Sequence, residues 1–124
     1  MRILQIEDDP DILEISRLAI EFAPGFELHQ CSSGSAGIEA LPKVRPDVIL
    51  LDVVMPDMNG TETLARIRAS EFHDTPVIFL TARARESDLD DLRSLNVAGV
   101  IIKPFDPLTL ADQVDKIISN GRAT

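Results

Sequence analysis

The sequence predicts an α/β fold in which five parallel strands form one doubly wound sheet with helices on both faces, a (βα)5 arrangement. Short apolar runs alternate along the chain with longer segments whose apolar residues recur at helical spacing. The central run Val48-Ile49-Leu50-Leu51 is wholly apolar, as expected of a strand that helices cover on both sides. Isolated polar residues directly follow four of the five runs.

The first strand and first helix are predicted from residues 2–22. The strand covers residues 2–6, and Asp9-Pro10 then supplies a helix N-cap followed by a proline in the first turn. Pro24-Gly25 ends the helix. The apolar stripe predicted to face the core consists of Ile12, Ile15, Ala19 and Phe22.

The second and third units follow the same pattern. Residues 26–30 form a weaker strand near an edge of the sheet, and residues 33–44 form a helix with Ile38 and Leu41 inward. Residues 47–51 form the third strand. Asn59 can cap the third helix, with Glu62 as its capping-box partner.

The last two units complete the sheet. Strands are predicted at residues 76–80 and 98–102, and a helix at residues 86–95. Asp106-Pro107 repeats the cap-plus-proline signal of the first helix. The inward stripe of the fifth helix consists of Leu110, Ala111, Val114, Ile117 and Ile118.

Composition narrows the classes of function. The 124 residues predict one domain over residues 1–124, and the net charge of −9 argues against direct nucleic-acid binding. Arg83 and Arg85 are the only hint of a basic surface. No apolar run reaches the length of about 18 residues that a membrane span needs. The single cysteine, Cys31, excludes an intrachain disulfide and fits a cytoplasmic setting; we expect it to be buried.

The isolated polar residues are predicted to converge. The carboxyl ends of parallel strands share one edge of the sheet, where ligands bind in α/β folds. Residues far apart in the chain would therefore form one pocket containing carboxylates, a hydroxyl and an ammonium group. The residues concerned are Glu7, Asp8, Asp9, Asp52, Thr81 and Lys103.

Such a pocket has the chemistry of a metal-assisted phosphoryl site. Two unit charges about 4 Å apart repel by roughly 4 kcal/mol at an effective dielectric constant of about 20, so clustered carboxylates are usually stabilised by a cation. Hard oxygen ligands favour Mg²⁺ or Mn²⁺ over zinc. Asp52 would be the nucleophile, since a carboxylate can form an acyl phosphate. Lys103 and Thr81 would contact the phosphoryl oxygens.

Four stretches of the chain together resemble the receiver domain of bacterial two-component response regulators, over residues 3 to about 119. The resemblance implies a flavodoxin-like sheet with strand order 2-1-3-4-5 and five flanking helices. The matching stretches are Ile3-Leu4-Gln5-Ile6-Glu7-Asp8-Asp9, Leu51-Asp52-Val53-Val54-Met55-Pro56-Asp57-Met58-Asn59-Gly60, Leu80-Thr81-Ala82 and Lys103-Pro104-Phe105.

The resemblance also implies roles for individual residues. Asp52 would accept a phosphoryl group from the phosphohistidine of a sensor histidine kinase or phosphotransfer protein. Asp8 would bind the metal directly and Glu7 through water, with Asp52 and the backbone carbonyl of Val54 as further ligands. Thr81 would move onto the phosphoryl group, and Lys103 would pair with it. The Lys103–Pro104 peptide bond would be cis.

Three positions depart from the usual pattern of the family. A switch aromatic often stands three residues before the lysine, and here that position is Val100. We therefore expect the signal to pass mainly through Thr81 and the loop after it. Val54 and Arg83 occupy positions that tune phosphoryl lifetime, and neither can align an attacking water. Slow self-dephosphorylation is the resulting hypothesis.

Other residues have structural interpretations. Capping of the first helix is favoured over a metal role for Asp9. His29 and His73 are expected at the surface, and Phe105 is expected to anchor the fifth helix.

The function predicted is a phosphorylation-controlled switch rather than a metabolic enzyme, with no output domain. It would catalyse only its own phosphorylation and slow dephosphorylation. A downstream protein would bind the face formed by the fourth helix, fifth strand and fifth helix.

Two alternatives share parts of this chemistry. A phosphatase of the haloacid dehalogenase type also uses an aspartate at a strand end with Mg²⁺, but its second aspartate would stand where this chain has Val54. A flavodoxin-like electron carrier would share the topology, although no phosphate loop follows the first strand.

Overall fold

The computed structural model describes residues 1–82 and 85–122, with side chains up to residue 120. Strands and helices alternate throughout this part of the chain, as predicted. The elements are β1 (Arg2–Ile6), α1 (Pro10–Glu21), β2 (Glu27–Cys31), α2 (Gly34–Val44), β3 (Val48–Asp52), α3 (Gly60–Arg68), β4 (Val77–Thr81), α4 (Glu86–Arg93), β5 (Gly99–Ile102) and α5 (Leu110–Arg122). The strands pair in parallel in the order β2-β1-β3-β4-β5, which confirms the expected topology.

The sheet separates two apolar cores, because successive strand residues point to opposite faces. Leu51 and Phe79 face one core, which α2, α3 and α4 cover through residues such as Leu41, Ile67 and Leu92. Alternate residues of the same strands face the second core, which α1 and α5 cover. The residues that contribute to this second core include Ile3, Ile20, Leu50, Leu80, Leu110, Val114 and Ile118.

The observed strands β2, β3 and β4 each begin and end one residue later than predicted. Asp52 and Thr81 are consequently the last residues of β3 and β4 rather than the first residues after them. Both remain in register with a neighbouring strand, Asp52 beside Leu80 and Thr81 beside Ile102. The type of a polar residue at a strand end does not indicate whether its backbone still pairs with the neighbouring strand.

The predicted inward stripe of α1 is partly wrong. Ile15 is 38% exposed and Phe22 is 82% exposed, whereas Ser16 and Ile20 are buried. Ser16 tolerates burial because its hydroxyl accepts a hydrogen bond of 2.8 Å from the Gln5 side chain on β1. Because α1 carries apolar residues on two faces, its sequence is compatible with two rotations about the helix axis. The observed rotation is the one that forms the hydrogen bond between Gln5 and Ser16.

Helix α5 begins at Leu110, later than the Asp106-Pro107 signal predicted. Asp106 starts a turn instead: its side chain accepts from the Leu108 amide at 2.9 Å and its carbonyl from the Thr109 amide at 3.0 Å. The apolar stripe of α5 is confirmed in its main members, since Leu110, Val114 and Ile118 are buried. None of the helices among the described residues is both long and apolar enough to span a membrane.

Candidate phosphorylation site

The predicted polar residues line one depression of about 240 Å³ at the carboxyl edge of the sheet. Glu7 and Asp8 directly follow β1, Asp52 ends β3, Thr81 ends β4 and Lys103 directly follows β5. The parallel register of the central strands brings these residues together from opposite ends of the chain. The lining residues are Glu7, Asp8, Asp9, Asp52, Val54, Thr81, Ala82 and Lys103.

Three carboxylates in this depression could hold one metal ion. Glu7, Asp8 and Asp52 each offer an oxygen, and these oxygens lie within 4.8 Å of one another. Glu7 is fully buried and Asp52 is 5% exposed. An all-oxygen, anionic donor set of this kind suits Mg²⁺ or Mn²⁺.

Lys103 bridges two of these acids. Its Nζ lies 2.5 Å from Glu7 Oε1 and 3.1 Å from Asp52 Oδ1. The Lys103–Pro104 peptide bond is cis, as the resemblance implied. Burial lowers the pKa of Lys103, but the hydrogen bonds from its ammonium group to Glu7 and Asp52 outweigh this effect, and the pKa is raised. Lys103 therefore carries its positive charge at neutral pH.

The Glu7 carboxyl is held in an environment that disfavours its charge. Burial is the largest cause and raises its pKa to about 7 from an ordinary value of 4.5. The hydrogen bond from Lys103 lowers the pKa, and the neighbouring Asp52 raises it. Without a bound metal ion, Glu7 would thus be close to half-protonated near neutral pH.

Asp9 caps α1, as the sequence indicated. Its side chain accepts a hydrogen bond of 2.9 Å from the Asp11 amide, and Pro10 is the first helical residue. Its own amide donates to Glu7 Oε2 at 3.2 Å. Asp9 therefore fixes Glu7 through its backbone, a contact that the residue type alone could not reveal.

Thr81 and Val54 occupy different depths of the depression. Thr81 is 1% exposed, whereas Val54 is 57% exposed at the mouth. Val100, in place of the usual aromatic, packs partly buried against the core beneath α2, α3 and α4. Arg83 lies outside the described residues.

Gly60 has a structural role that sequence reasoning missed. Its amide donates to the Val53 carbonyl at 2.8 Å, which closes the loop after Asp52. A Cβ at this position would lie 2.3 Å from the Asp52 carbonyl oxygen and 2.8 Å from the Val53 Cα. The predicted N-cap is confirmed, because the Asn59 side chain accepts from the Glu62 amide at 2.9 Å. The reciprocal hydrogen bond of a capping box, from the Asn59 amide to the Glu62 side chain, is not formed among the described residues. The signal for the close contact was the glycine next to that cap.

His29 and His73 are exposed, and Phe105 is buried in the core beneath α1 and α5, as expected. Cys31 is only partly buried, so its predicted burial is confirmed in part.

Known proteins are similar to this chain in sequence and in fold. A family model described as the response regulator receiver domain matches residues 3–115. The transcriptional regulatory protein TrcR of Mycobacterium tuberculosis is 34% identical over 107 residues, which are 85% of this chain and 40% of that protein. YclJ of Bacillus subtilis, also described as a transcriptional regulatory protein, is 32% identical over 124 residues, which are 100% of this chain and 53% of that protein. The chain thus spans about half the length of the curated relatives it matches.

Solved structures agree with the sequence relatives. The chemotaxis protein CheY4 of Vibrio cholerae superposes with a TM-score of 0.84 at 27% identity, covering 94% of this chain and 97% of that one. The N-terminal domain of a response regulator receiver protein from Methanoculleus marisnigri superposes with a TM-score of 0.74 at 31% identity, covering 96% and 94%. These similarities do not support the haloacid dehalogenase alternative. Because the matched range contains all of the sheet except Arg2, and every residue of the acidic depression, the chain belongs to the response regulator receiver domain family, the signalling domains of two-component systems.

Proposed function

We propose that Asp52 accepts a phosphoryl group from the phosphohistidine of a sensor histidine kinase or phosphotransfer protein, in a reaction that depends on Mg²⁺ or Mn²⁺. The main support is the placement of Asp52 3.1 Å from the Lys103 ammonium and beside the Glu7 and Asp8 carboxylates in one open depression. The Lys103 ammonium and a metal ion bound beside Asp52 would offset the negative charge of the Asp52 carboxylate and of the incoming phosphoryl group.

The transfer is a displacement at phosphorus. An Asp52 carboxylate oxygen forms a bond to phosphorus while the P–N bond of the phosphohistidine breaks, and its electron pair returns to the imidazole. The product is an acyl phosphate on Asp52. Lys103 would contact the oxygens of the transferred phosphoryl group, because its ammonium group already contacts the Asp52 carboxylate to which that group becomes attached.

Glu7, Asp8, Asp52 and the carbonyl of Val54 would hold the metal ion. When bound, the ion would offset the negative charge of the carboxylates and of the incoming phosphoryl group. The donor set supports this assignment, because the three carboxylates lie close together and, among the described residues, Lys103 alone forms salt bridges with them, to Glu7 and Asp52.

Thr81 would transmit the phosphorylated state. Its side chain lines the depression, and residue 82 leads from β4 toward α4. Rearrangement there would shift a pre-existing equilibrium between two conformations and change the binding of a downstream protein at the face of α4, β5 and α5. With Val100 in β5, this route would not need an aromatic switch.

The chain would turn over no separate substrate. Val54 presents no acid or amide to a water near the acyl phosphate, so self-dephosphorylation should be slow. Decay of the purified phosphoprotein, followed by intact mass, tests this: a half-life of seconds contradicts it.

A cytoplasmic location is likewise a prediction that rests on cysteine usage.

Incubation with acetyl phosphate and MgCl₂, followed by intact mass, tests the central proposal. One added phosphate is expected on the native chain and none on Asp52→Asn or after EDTA treatment. Modification of Asp52→Asn to the same extent, or modification that ignores the metal, would contradict the assignment.

A further inference from the structure

A second depression of about 400 Å³ lies between α4 and the loop that joins β3 to α3. We call it the loop–α4 cleft. It is distinct from the acidic depression, although Val54 lines both. The lining residues are Val53, Val54, Met55, Asn59, Thr61, Asp88, Asp91 and Leu92.

The floor of the loop–α4 cleft is apolar. Val53 and Met55 are each 8% exposed, and Leu92 is 7% exposed. A floor of this kind favours contact with an aliphatic chain, and it does little to stabilise a fully hydrated ion.

One wall of the cleft carries two carboxylates. Asp88 and Asp91 stand three residues apart on α4 and therefore lie on the same side of the helix. Within residues 1–82 and 85–120, no salt bridge involves either carboxylate, whereas Asp90 on the same helix lies 4.0 Å from Arg93. The whole chain is also acidic, with a net charge of −9.

We infer that the loop–α4 cleft binds an arginine or lysine side chain presented, between apolar neighbours, by a downstream protein partner. This inference rests on the proposed function, since it names the chemistry of the partner that would respond to the switch. The partner's contact surface would then extend from the face of α4, β5 and α5 across α4 to the loop after β3. The aliphatic stem would lie on Val53, Met55 and Leu92, and the cationic head would reach Asp88 and Asp91.

Occupation of this cleft would be coupled to the phosphorylation site. Val53 directly follows Asp52, and Val54 lines both depressions. A partner that binds the cleft better when Asp52 is phosphorylated must, by linkage, favour phosphorylation by the same factor.

A titration of the unmodified protein with the peptide acetyl-Leu-Arg-Leu-amide, followed by ¹H–¹⁵N NMR in excess MgCl₂, tests the inference. The expected shifts cluster at residues 53–55, 59–61 and 88–92. The same peptide with neutral citrulline in place of arginine should bind about tenfold more weakly, because hydrogen bonds to charged groups are the stronger ones.

Matched variants locate the charge that matters. Asp88→Asn and Asp91→Asn should each weaken the arginine peptide severalfold. Asp90→Asn is the control, since it removes the same charge from the same helix outside the cleft. It should leave the affinity within about twofold. The amide spectrum of each variant shows whether it is folded.

Three results would overturn the inference: shifts that map away from the cleft, equal binding of the citrulline peptide, or equal losses for Asp90→Asn and Asp91→Asn. Tighter binding of spermidine than of the peptide would identify a polyamine site instead and would also overturn it. Because the titration uses unmodified protein, its failure and a failure of Asp52 to accept phosphate are separate observations.

Discussion

Glu7 is the residue at which burial and charge oppose each other most directly. It is fully buried, its pKa is raised to about 7, and it lies beside the Lys103 ammonium and the Asp8 and Asp52 carboxylates. The native state therefore holds a proton on Glu7 over a pH range in which the unfolded chain has released it.

This raised pKa predicts a pH dependence of stability. The native state binds more protons than the unfolded state between pH 4.5 and about 7, so the free energy of unfolding should fall as pH rises through that window. A shift of this size corresponds to about 3 kcal/mol. Urea unfolding of the metal-free protein at a series of pH values measures it.

The Glu7→Gln variant is the control for the pH prediction. The amide keeps the shape of the side chain but does not titrate, so the fall in stability between pH 5 and about 7 should largely disappear. An unchanged profile in this variant would assign the effect to other groups.

Lys103 should stabilise the metal-free site at high pH. Its side chain is 14% exposed and its ammonium group contacts both Glu7 and Asp52. Replacing it by methionine removes this cationic partner from both carboxylates, and the free energy of unfolding should fall by about 3 kcal/mol at pH 8.

The loss in Lys103→Met should shrink at pH 5, where Glu7 is protonated. Lys116→Met, at an exposed position on α5, should change stability by less than about 0.5 kcal/mol at either pH. Equal losses in the two variants, measured by urea unfolding, would contradict the role assigned to Lys103.

At this scale the sequence predicted which residues would meet, because strand ends in a parallel sheet share one edge. Glu7, Asp52, Thr81 and Lys103 all lie where that rule placed them. The backbone contact from Asp9 to Glu7 was not predictable, because every residue but proline carries the same amide and only the folded path shows where it points.

Among the elements, α1 shows where periodicity is insufficient. Its sequence carries apolar residues on two faces, and the expected stripe wrongly included Ile15 and Phe22. The observed rotation buries Ser16 against Gln5, and Gln30 on β2 extends the contact by donating to Gln5 at 2.8 Å. The pattern of apolar residues alone therefore cannot predict a rotation of α1 that depends on hydrogen bonds between buried polar side chains.

Ser16→Ala should therefore destabilise the protein although it removes a polar atom from the core. The Gln5 amide would lose its partner at 2.8 Å, at a cost of about 1–3 kcal/mol. Urea unfolding measures the change, with the exposed Ser35→Ala on α2 as a control. Two equal, small effects would show that the contact contributes nothing net.

Two glycines at equivalent helix positions should respond differently to alanine. Gly60 and Gly34 are the first residues of α3 and α2. A Cβ at Gly34 would meet the ends of side chains, Thr63 Oγ1 at 2.5 Å and Met58 Sδ at 3.1 Å, whereas a Cβ at Gly60 would meet the backbone of Asp52 and Val53. Side-chain ends can move aside, but a paired strand cannot do so without shifting the site.

We expect Gly60→Ala to lower the free energy of unfolding by about 2–3 kcal/mol and Gly34→Ala by roughly half as much or less. Gly60→Ala should also slow phosphorylation by acetyl phosphate, because Asp52 is displaced. A similar loss of stability in both variants, with phosphorylation unchanged, would contradict the close-contact argument.

For the whole molecule, the acidic depression connects residues from both ends of the chain, so occupation by a cation should stabilise the entire fold. Binding to the native state alone adds about 2.7 kcal/mol to the free energy of unfolding when the ligand is at 100 times its Kd. For a domain of 124 residues this corresponds to a Tm increase of about 10 °C. Thermal unfolding with excess MgCl₂ and with EDTA measures the difference.

Adjacent aspartates provide the control for this last prediction. Asp8→Asn removes a proposed ligand, so it should abolish most of the magnesium effect while raising metal-free stability through reduced repulsion. Asp9→Asn removes the same charge one residue away but retains a side chain that can cap α1, so the magnesium effect should persist. If both variants lost it equally, magnesium would be responding to the acidity of the sheet edge as a whole rather than to three oxygens within 4.8 Å of one another.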